Sequence, residues 1–377
     1  RVIYPHSSGN LGSMHTINFY PNWVPIQEMS DWFGHWATEG VKPVFMCEYG
    51  APFMWDWAMY RGWYKGNRTF GSAVVPWDFC LAEWNSQFLG DQAFQISGQE
   101  KANLRWEARQ WRQGRLWHRW DYPHQLGSRD FDERYPILAA YLTDNWRAFR
   151  TWGVSAISPW EHAVFWKQRP GLNRNQHVTL PTDWQNLQRP GFSPDYIEDR
   201  YERMDLAYEK ADWIATPAAE SMYRNNAPLL AYIAGKSTAF TTKDHNFLPG
   251  QTVEKQIIVI NNSRQTVKAQ CAWRFDLPEP LTGHAEVTVA TGQQHRIPLR
   301  FSLPPNLKPG SYELSATVKF GTGETQKDSF VIHATRPLPT PRTAGKIALF
   351  DPKGETAGLM ESLGIRCRLV EPDADLS

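Results

Sequence analysis

Near residue 228 the chain changes its texture, and no single compact fold accommodates both halves. Ahead of that point aromatic residues crowd the sequence: of 19 tryptophans, all but Trp273 precede residue 220. Beyond it tryptophan gives way to valine, threonine, glycine and proline. Apolar residues then recur at every second position over Thr252 to Asn261, Thr266 to Phe275, His284 to Thr291, His295 to Leu303, Gly310 to Phe320 and Asp328 to Thr335. A period of two is the mark of half-buried strands. Turn signals separate them, Asn261-Asn262-Ser263 and Pro309-Gly310 among others. Residues 228–335 are therefore expected to form an antiparallel, immunoglobulin-like β-sandwich of about 100 residues.

The first 227 residues follow a different pattern. A strand-like run, His15-Thr16-Ile17-Asn18-Phe19-Tyr20, is stopped by Pro21. A helix-compatible stretch follows from Met29 to Thr38, with Trp32, Phe33 and Trp36 at helical spacing and Gly40 closing it. Pro43 then opens a short apolar strand, Val44-Phe45-Met46, which runs through Cys47-Glu48-Tyr49 to Gly50. Strand, helix, strand within about 35 residues is a parallel crossover unit. Helical periodicity returns over Ile137 to Trp152, carried by Leu138, Tyr141, Leu142, Trp146 and Phe149, with Gly153 just past the end. Another strand, Val154-Ser155-Ala156-Ile157-Ser158, ends at Pro159-Trp160-Glu161. Asp195 to Asp212 reads as a further charged, amphipathic helix.

Between these elements, residues 52–130 are too long for a loop and too rich in tryptophan, arginine and glycine for a regular element, so they are read as an insertion. It holds one helix, Glu100 to Gln113, with Leu104, Ala108 and Trp111 facing inward. After the sandwich a proline-rich linker, residues 336–345, leads into Lys346 to Phe350 (strand), Glu355 to Leu363 (helix) and Arg366 to Val370 (strand). Residues 346–377 are thus expected to open a three-layer α/β domain of flavodoxin or amidotransferase-like kind, and to stop before it can bury its faces. Arg1 is not a methionine and Ser377 falls inside that incipient domain, so the chain is read as an internal piece of a longer one.

Composition removes several partners. Lysine plus arginine (40) nearly balances aspartate plus glutamate (39), for a net charge of +1, and nothing calls for nucleic acid. No apolar run approaches the ~20 residues of a membrane helix. Cys47, Cys80, Cys271 and Cys367 lie far apart without a CxxC spacing, which signals neither a metal site nor a disulfide framework. The triplets Asn67-Arg68-Thr69 and Asn261-Asn262-Ser263 match a glycosylation acceptor but arise often by chance. The compartment is left open, with a periplasmic or extracellular one favoured.

Glu48 is the residue that most invites chemistry, because it stands where an apolar, buried strand meets open space. In barrels of alternating strands and helices the C-terminal strand ends carry the reactive groups. Strand ends at Asn18 to Trp23, at Glu48 and at Trp160 would converge on one face if the strands are neighbours. Tryptophan at such ends stacks on the C–H faces of sugars.

Three segments, Asn18-Phe19-Tyr20-Pro21-Asn22-Trp23, Lys42-Pro43 through Glu48-Tyr49-Gly50, and Ile157-Ser158-Pro159-Trp160, resemble the sixth, seventh and eighth strands of the clan A retaining glycoside hydrolases. The likeness is nearest to the family-2 group of β-galactosidases, β-glucuronidases and β-mannosidases, and it covers residues 14–66 and 132–166. The resemblance implies that residues 1–227 are the C-terminal part of a (β/α)8 TIM barrel. It further implies that Glu48 is the nucleophile, that Tyr20 hydrogen-bonds to it, and that Trp160 floors the sugar site, with Asn18, Trp23 and Glu161 in the same pocket. The substrate would be a β-linked carbohydrate, hydrolysed with retention and without metal or organic cofactor. The family's acid/base glutamate follows an asparagine on an earlier strand, ahead of this sequence. Some multidomain bacterial members also carry an amidotransferase-like domain after the barrel, a fold-level analogy only.

Two carboxylates, about 5 to 5.5 Å apart, are what a retaining mechanism needs, one as attacker and one as proton donor. Within the sequence, Glu83 and Glu161 have aromatic surroundings, but Glu83 reads as an arginine-paired insertion residue and Glu161 as a hydroxyl contact. His15, Asp56 and Asp78 read as structural, and Cys47 as a small core residue turned away from the site. A rival from another class is a carbohydrate-binding or cell-surface scaffold protein, whose tryptophans bind glycan without chemistry. An endo-acting cellulase or mannanase would share Glu48 and differ in cleft shape.

Overall fold

The computed structural model describes residues 6–20, 24–51, 67–70, 73–76, 98–113, 115, 123–124, 134–159, 165–171, 210–336 and 345–374. Over these residues the chain is mixed α/β and rich in sheet. It divides into two compact units: Arg1–Leu230 with Val259–Val267 and Val289–His295, and Ala231–Ile258 with Lys268–Thr288 and Arg296–Ser377.

The first unit begins with strand β1 (His15–Phe19), helices α1 (Ile26–Asp31) and α2 (Gly34–Glu39), and strand β2 (Val44–Tyr49). The single helix expected over 29–38 is two short ones, because the backbone leaves the helical region at Phe33 (φ −90°, ψ 6°). That break buries Phe33 and leaves Trp32 exposed. A hairpin of β3 (Asn67–Phe70) and β4 (Ala73–Pro76) and helix α3 (Gly98–Arg112) follow. The inward faces expected of Leu104, Ala108 and Trp111 fall outside the described side chains. Helix α4 (Arg134–Trp152) leads into β5 (Ala156–Pro159). Strands β6 (Trp166–Gln168) and β7 (Trp213–Ala215) pair antiparallel, and α5 (Pro217–Asn225) closes the run. The helix expected over 195–212 lies mostly outside the described residues; its last three, Lys210–Asp212, form a 3-10 turn.

Strands β1, β2 and β5 form a parallel sheet in the order β1-β2-β5. One face is covered by a core of Phe19, Met29, Phe33, Val44, Met46, Tyr49, Leu138, Leu142, Trp146 and Phe149. Apolar residues of α4 spaced three and four apart supply that core. The helix ends in a Schellman arrangement: Gly153 at φ 87° lets its own N–H reach the Arg150 carbonyl and the Val154 N–H reach that of Phe149. Buried Asn145 ties α4 down, accepting from the Tyr49 hydroxyl at 2.8 Å and donating to Ser30 Oγ and the Ile26 carbonyl. Burial, with the nearby Tyr141 and Asp144, pushes the Tyr49 phenol well above its ordinary range, so it remains a donor.

The second texture of the sequence becomes β8 (Leu229–Ala234), β9 (Asn246–Phe247), β10 (Thr252–Asn261), β11 (Val267–Phe275), β12 (Leu281–Val289), β13 (Gln293–Ser302), β14 (Gly310–Phe320) and β15 (Thr325–Ala334). They form a three-stranded sheet, β13-β10-β8, and a five-stranded one, β12-β11-β14-β15-β9. The β11–β14 and β14–β15 pairs are antiparallel, whereas β9 joins β15 in parallel over two residues. Phe275 of β11 and Phe301 of β13 touch across the sheets at 5.1 Å. Lys255 of β10 is buried with its ammonium 3.7 Å over the Phe330 ring and a hydrogen bond to the Asp244 carbonyl. In the last segment, β16 (Ala348–Leu349) and β17 (Arg368–Leu369) pair in parallel beside α6 (Glu355–Ser362). Phe350, Leu359 and Leu369 remain exposed there.

Candidate functional site

A bulge in β2 decides which way Glu48 faces. Against β1 the register runs Ile17↔Met46 and then Asn18↔Glu48, and against β5 it runs Met46↔Ile157 and then Tyr49↔Pro159. Both neighbours therefore count one extra residue in β2, at Cys47. Strict alternation would have put Glu48 on the face of Val44 and Met46, under the helices. With the extra residue, Tyr49 joins that core and Glu48 turns to the opposite face, beside Asn18. Cys47 is buried and its thiol free.

The carboxylate is held from two sides. Oε2 accepts hydrogen bonds from Asn18 Nδ2 at 2.9 Å and from the Tyr20 hydroxyl. Oε1 lies 2.9 Å from His6 Nε2, which must carry the proton of that contact because a carboxylate oxygen only accepts. The Glu48 side chain is 18% exposed and that of His6 60%. Asn18 Oδ1 is buried with no hydrogen-bond donor among the described residues.

His6 was not anticipated from the sequence. It sits on a turn fastened to β1: Gly9 and Thr16 exchange backbone hydrogen bonds of 2.9 and 3.0 Å, the Ser8 N–H donates to Thr16 Oγ1, and the Asn18 N–H donates to Ser7 Oγ. Ser7 has φ 49°, a left-handed conformation uncommon for a residue with a side chain. Lys42 of the Lys-Pro pair reaches the same loop, donating to the Asn10 and Gly12 carbonyls. Serine, serine and glycine after Pro5 mark a turn in the sequence, but no pattern reveals how far that turn reaches.

Of the residues singled out from the sequence, Asn18, Tyr20 and Glu48 come together. Trp23, Trp160 and Glu161 lie outside the described residues, as do Glu83, Asp56, Asp78 and Cys80. His15 faces Asn10 Oδ1 at 2.9 Å and packs on the Trp36 ring, and burial with the nearby Lys42 charge lowers its pKa. Among the described residues no three His, Cys, Asp or Glu side chains are grouped to hold a metal ion. Nor is any described helix long and apolar enough to cross a membrane.

No family model matches the chain, and no curated protein matches it. Among solved structures it is similar to a family 123 glycoside hydrolase from Clostridium perfringens, with 13% identity over 33% of this chain and 30% of that one and a TM-score of 0.23. It is also similar to red sea bream transglutaminase, with 12% identity over 36% and 21% of the two chains and a TM-score of 0.25. The CARDB domain of a Pyrococcus furiosus protein shows 14% identity over 28% and 87%, with a TM-score of 0.22. Likeness of this degree carries no argument about chemistry, so the functional reading stands on the site itself.

Proposed function

We propose that the chain is the C-terminal part of a retaining glycoside hydrolase of the clan A, family-2-like kind, acting on a β-linked glycoside through a glycosyl ester on Glu48. The observation that carries this reading is the pair of donors on Glu48 Oε2, Asn18 Nδ2 and the Tyr20 hydroxyl, at the C-terminal end of a parallel strand. They hold Oε2, while Oε1 has the His6 contact. In the first step an Oε1 lone pair attacks the anomeric carbon while the leaving oxygen takes a proton from an acid carboxyl, which the resemblance puts ahead of this sequence. Water then releases the sugar with retained configuration. Trp160 and Trp23 would supply the apolar floor and wall, and Glu161 a further hydroxyl contact.

In this reading β1, β2 and β5 are the last three strands of an eight-stranded barrel, and exposed Ala156 and Ser158 of β5 lie on the face that closure would cover. Residues 228–335 are an immunoglobulin-like sandwich, and residues 346–377 begin an α/β domain. Glu48→Gln in the full-length protein should abolish turnover of aryl β-glycosides with the unfolding midpoint near wild type. Retained turnover would remove Glu48 from the chemistry, and a midpoint many degrees lower would favour a structural role.

A further inference from the structure

We infer that His6 is a catalytic hydrogen-bond donor to Glu48 Oε1 whose effect falls on the second half of the reaction, the release of the sugar from the enzyme; this rests on the reading of Glu48 as nucleophile. The two oxygens of Glu48 are unequal. Oε2 already accepts two hydrogen bonds, from a half-buried asparagine and a tyrosine fixed beside β1. Oε1 has His6 alone among the described partners, from a largely exposed ring that can shift as the sugar arrives. Oε1 is therefore the oxygen that bonds to the anomeric carbon.

Charge on that oxygen changes in opposite directions in the two steps. In the first, an Oε1 lone pair forms the bond to the anomeric carbon, the glycosidic bond breaks, and its electron pair leaves with the departing oxygen. Negative charge drains from Oε1, and the His6 contact weakens on the way to the transition state. In the second, a water oxygen bonds to the anomeric carbon, the bond to Oε1 breaks, and its electron pair returns to Oε1. The water proton goes to the acid/base carboxyl, now acting as base, and His6 keeps its own proton throughout. A donor aimed at the place where charge develops stabilises the transition state more than the ground state. His6 therefore accelerates release and does nothing to help attachment.

The turn gives a reason to regard this placement as built in. Ser7 adopts a left-handed backbone that costs about 1 kcal/mol or more for a residue with a Cβ. Such strain persists only where surrounding bonds impose it. Here the Gly9–Thr16 exchange, Ser8 on Thr16, Asn18 on Ser7 and Lys42 on the loop carbonyls do so, and the residue immediately before the strained position is the one whose ring reaches Glu48.

The test uses the full-length protein and an activated fluoro-sugar whose leaving group departs without protonation, so that attachment and release are timed separately. In His6→Ala, attachment to Glu48 should proceed at the wild-type rate or faster, while release of the bound sugar slows about 10- to 100-fold. His6→Gln, whose amide can reach the same oxygen, should restore most of the release rate. Equal slowing of both steps in His6→Ala, unchanged release, or a glutamine variant no better than alanine would each overturn the inference. Failure of the wild-type protein to carry the label on Glu48 would instead overturn the nucleophile assignment beneath it.

Discussion

A carboxylate at the end of an apolar strand needs a reason to face away from the helices, and Cys47 supplies it by standing as the extra residue in β2. The alternation Val44-Phe45-Met46-Cys47-Glu48-Tyr49 contains no sign of that bulge. Reading the strand by period two puts Glu48 on the face of Met46, whereas the register places it beside Asn18. Asn18, Tyr20 and Glu48 could be singled out from the sequence as strand-end residues, and the structure brings these three together. His6 was not legible, because its reach depends on the φ of Ser7 and on a loop fastened by Lys42, neither of which leaves a periodic trace. At this scale the sharpest expectation is for Tyr20→Phe. Losing the hydroxyl on Oε2 should lower turnover about 10- to 100-fold while the unfolding midpoint moves little. Unimpaired turnover in that variant would mean that the hydroxyl has no part in holding Glu48 for the proposed reaction.

Elements were easier to read where periodicity and punctuation agreed. Helix α4 runs from Arg134 to Trp152 against an expectation of 137–152, and Gly153 ends it by the left-handed turn that a terminal glycine signals. Because nothing lies within 4 Å of a Cβ built at Gly153, a substitution there meets open space and only the backbone cost remains. Gly153→Ala should therefore lower stability by about 1 kcal/mol, read as a drop of a few degrees in the unfolding midpoint. No change would mean that the left-handed turn is not held in solution. Strands β10 and β14 match their expected bounds, whereas β8 was missed. Its sequence, Leu229-Leu230-Ala231-Tyr232-Ile233-Ala234, is apolar throughout and gives no alternation to detect. It also lies at the edge of its sheet, where Gln326 and Asp328 of β15 accept from the Ala231 and Ile233 N–H groups in place of a neighbouring strand. Such side-chain capping of an open edge depends on which strands come to face each other, and sequence spacing does not specify that.

Over the whole molecule, the change of texture near residue 228 gives no sign of the way the two compact units share the strands that follow it. Val259–Val267 and Val289–His295 belong with the first unit, cutting across β10 to β13. The second unit carries a pH-dependent weakness that composition also hid. Burial lowers the Lys255 amine from 10.5 to about 8, with Lys243 adding to the shift and Asp244 opposing it. Below about 8 the amine is charged in folded and unfolded chains alike, and above 10.5 it is neutral in both. Between those values only the unfolded chain holds the proton, so this group makes stability rise with pH, by on the order of 3 kcal/mol across the window. Cys271, whose thiol burial raises from 9.0 to about 11, acts in the opposite sense as pH climbs through that range, so wild type alone shows a blunted slope. Lys255→Met isolates the effect: the variant should be the more stable at pH 7, with the gap closing by pH 10.5 in denaturant titrations. A gap independent of pH would contradict the account of that lysine.

Everything said of function depends on Glu48 bonding to a sugar, and trapping that bond tests it most directly. The full-length protein, incubated with an activated fluoro-sugar and digested, should yield one modified peptide, and fragmentation should put the sugar ester on Glu48 in the segment Val44 to Gly50. An ester on any other carboxylate, or no labelled peptide across several sugar configurations, would contradict the account.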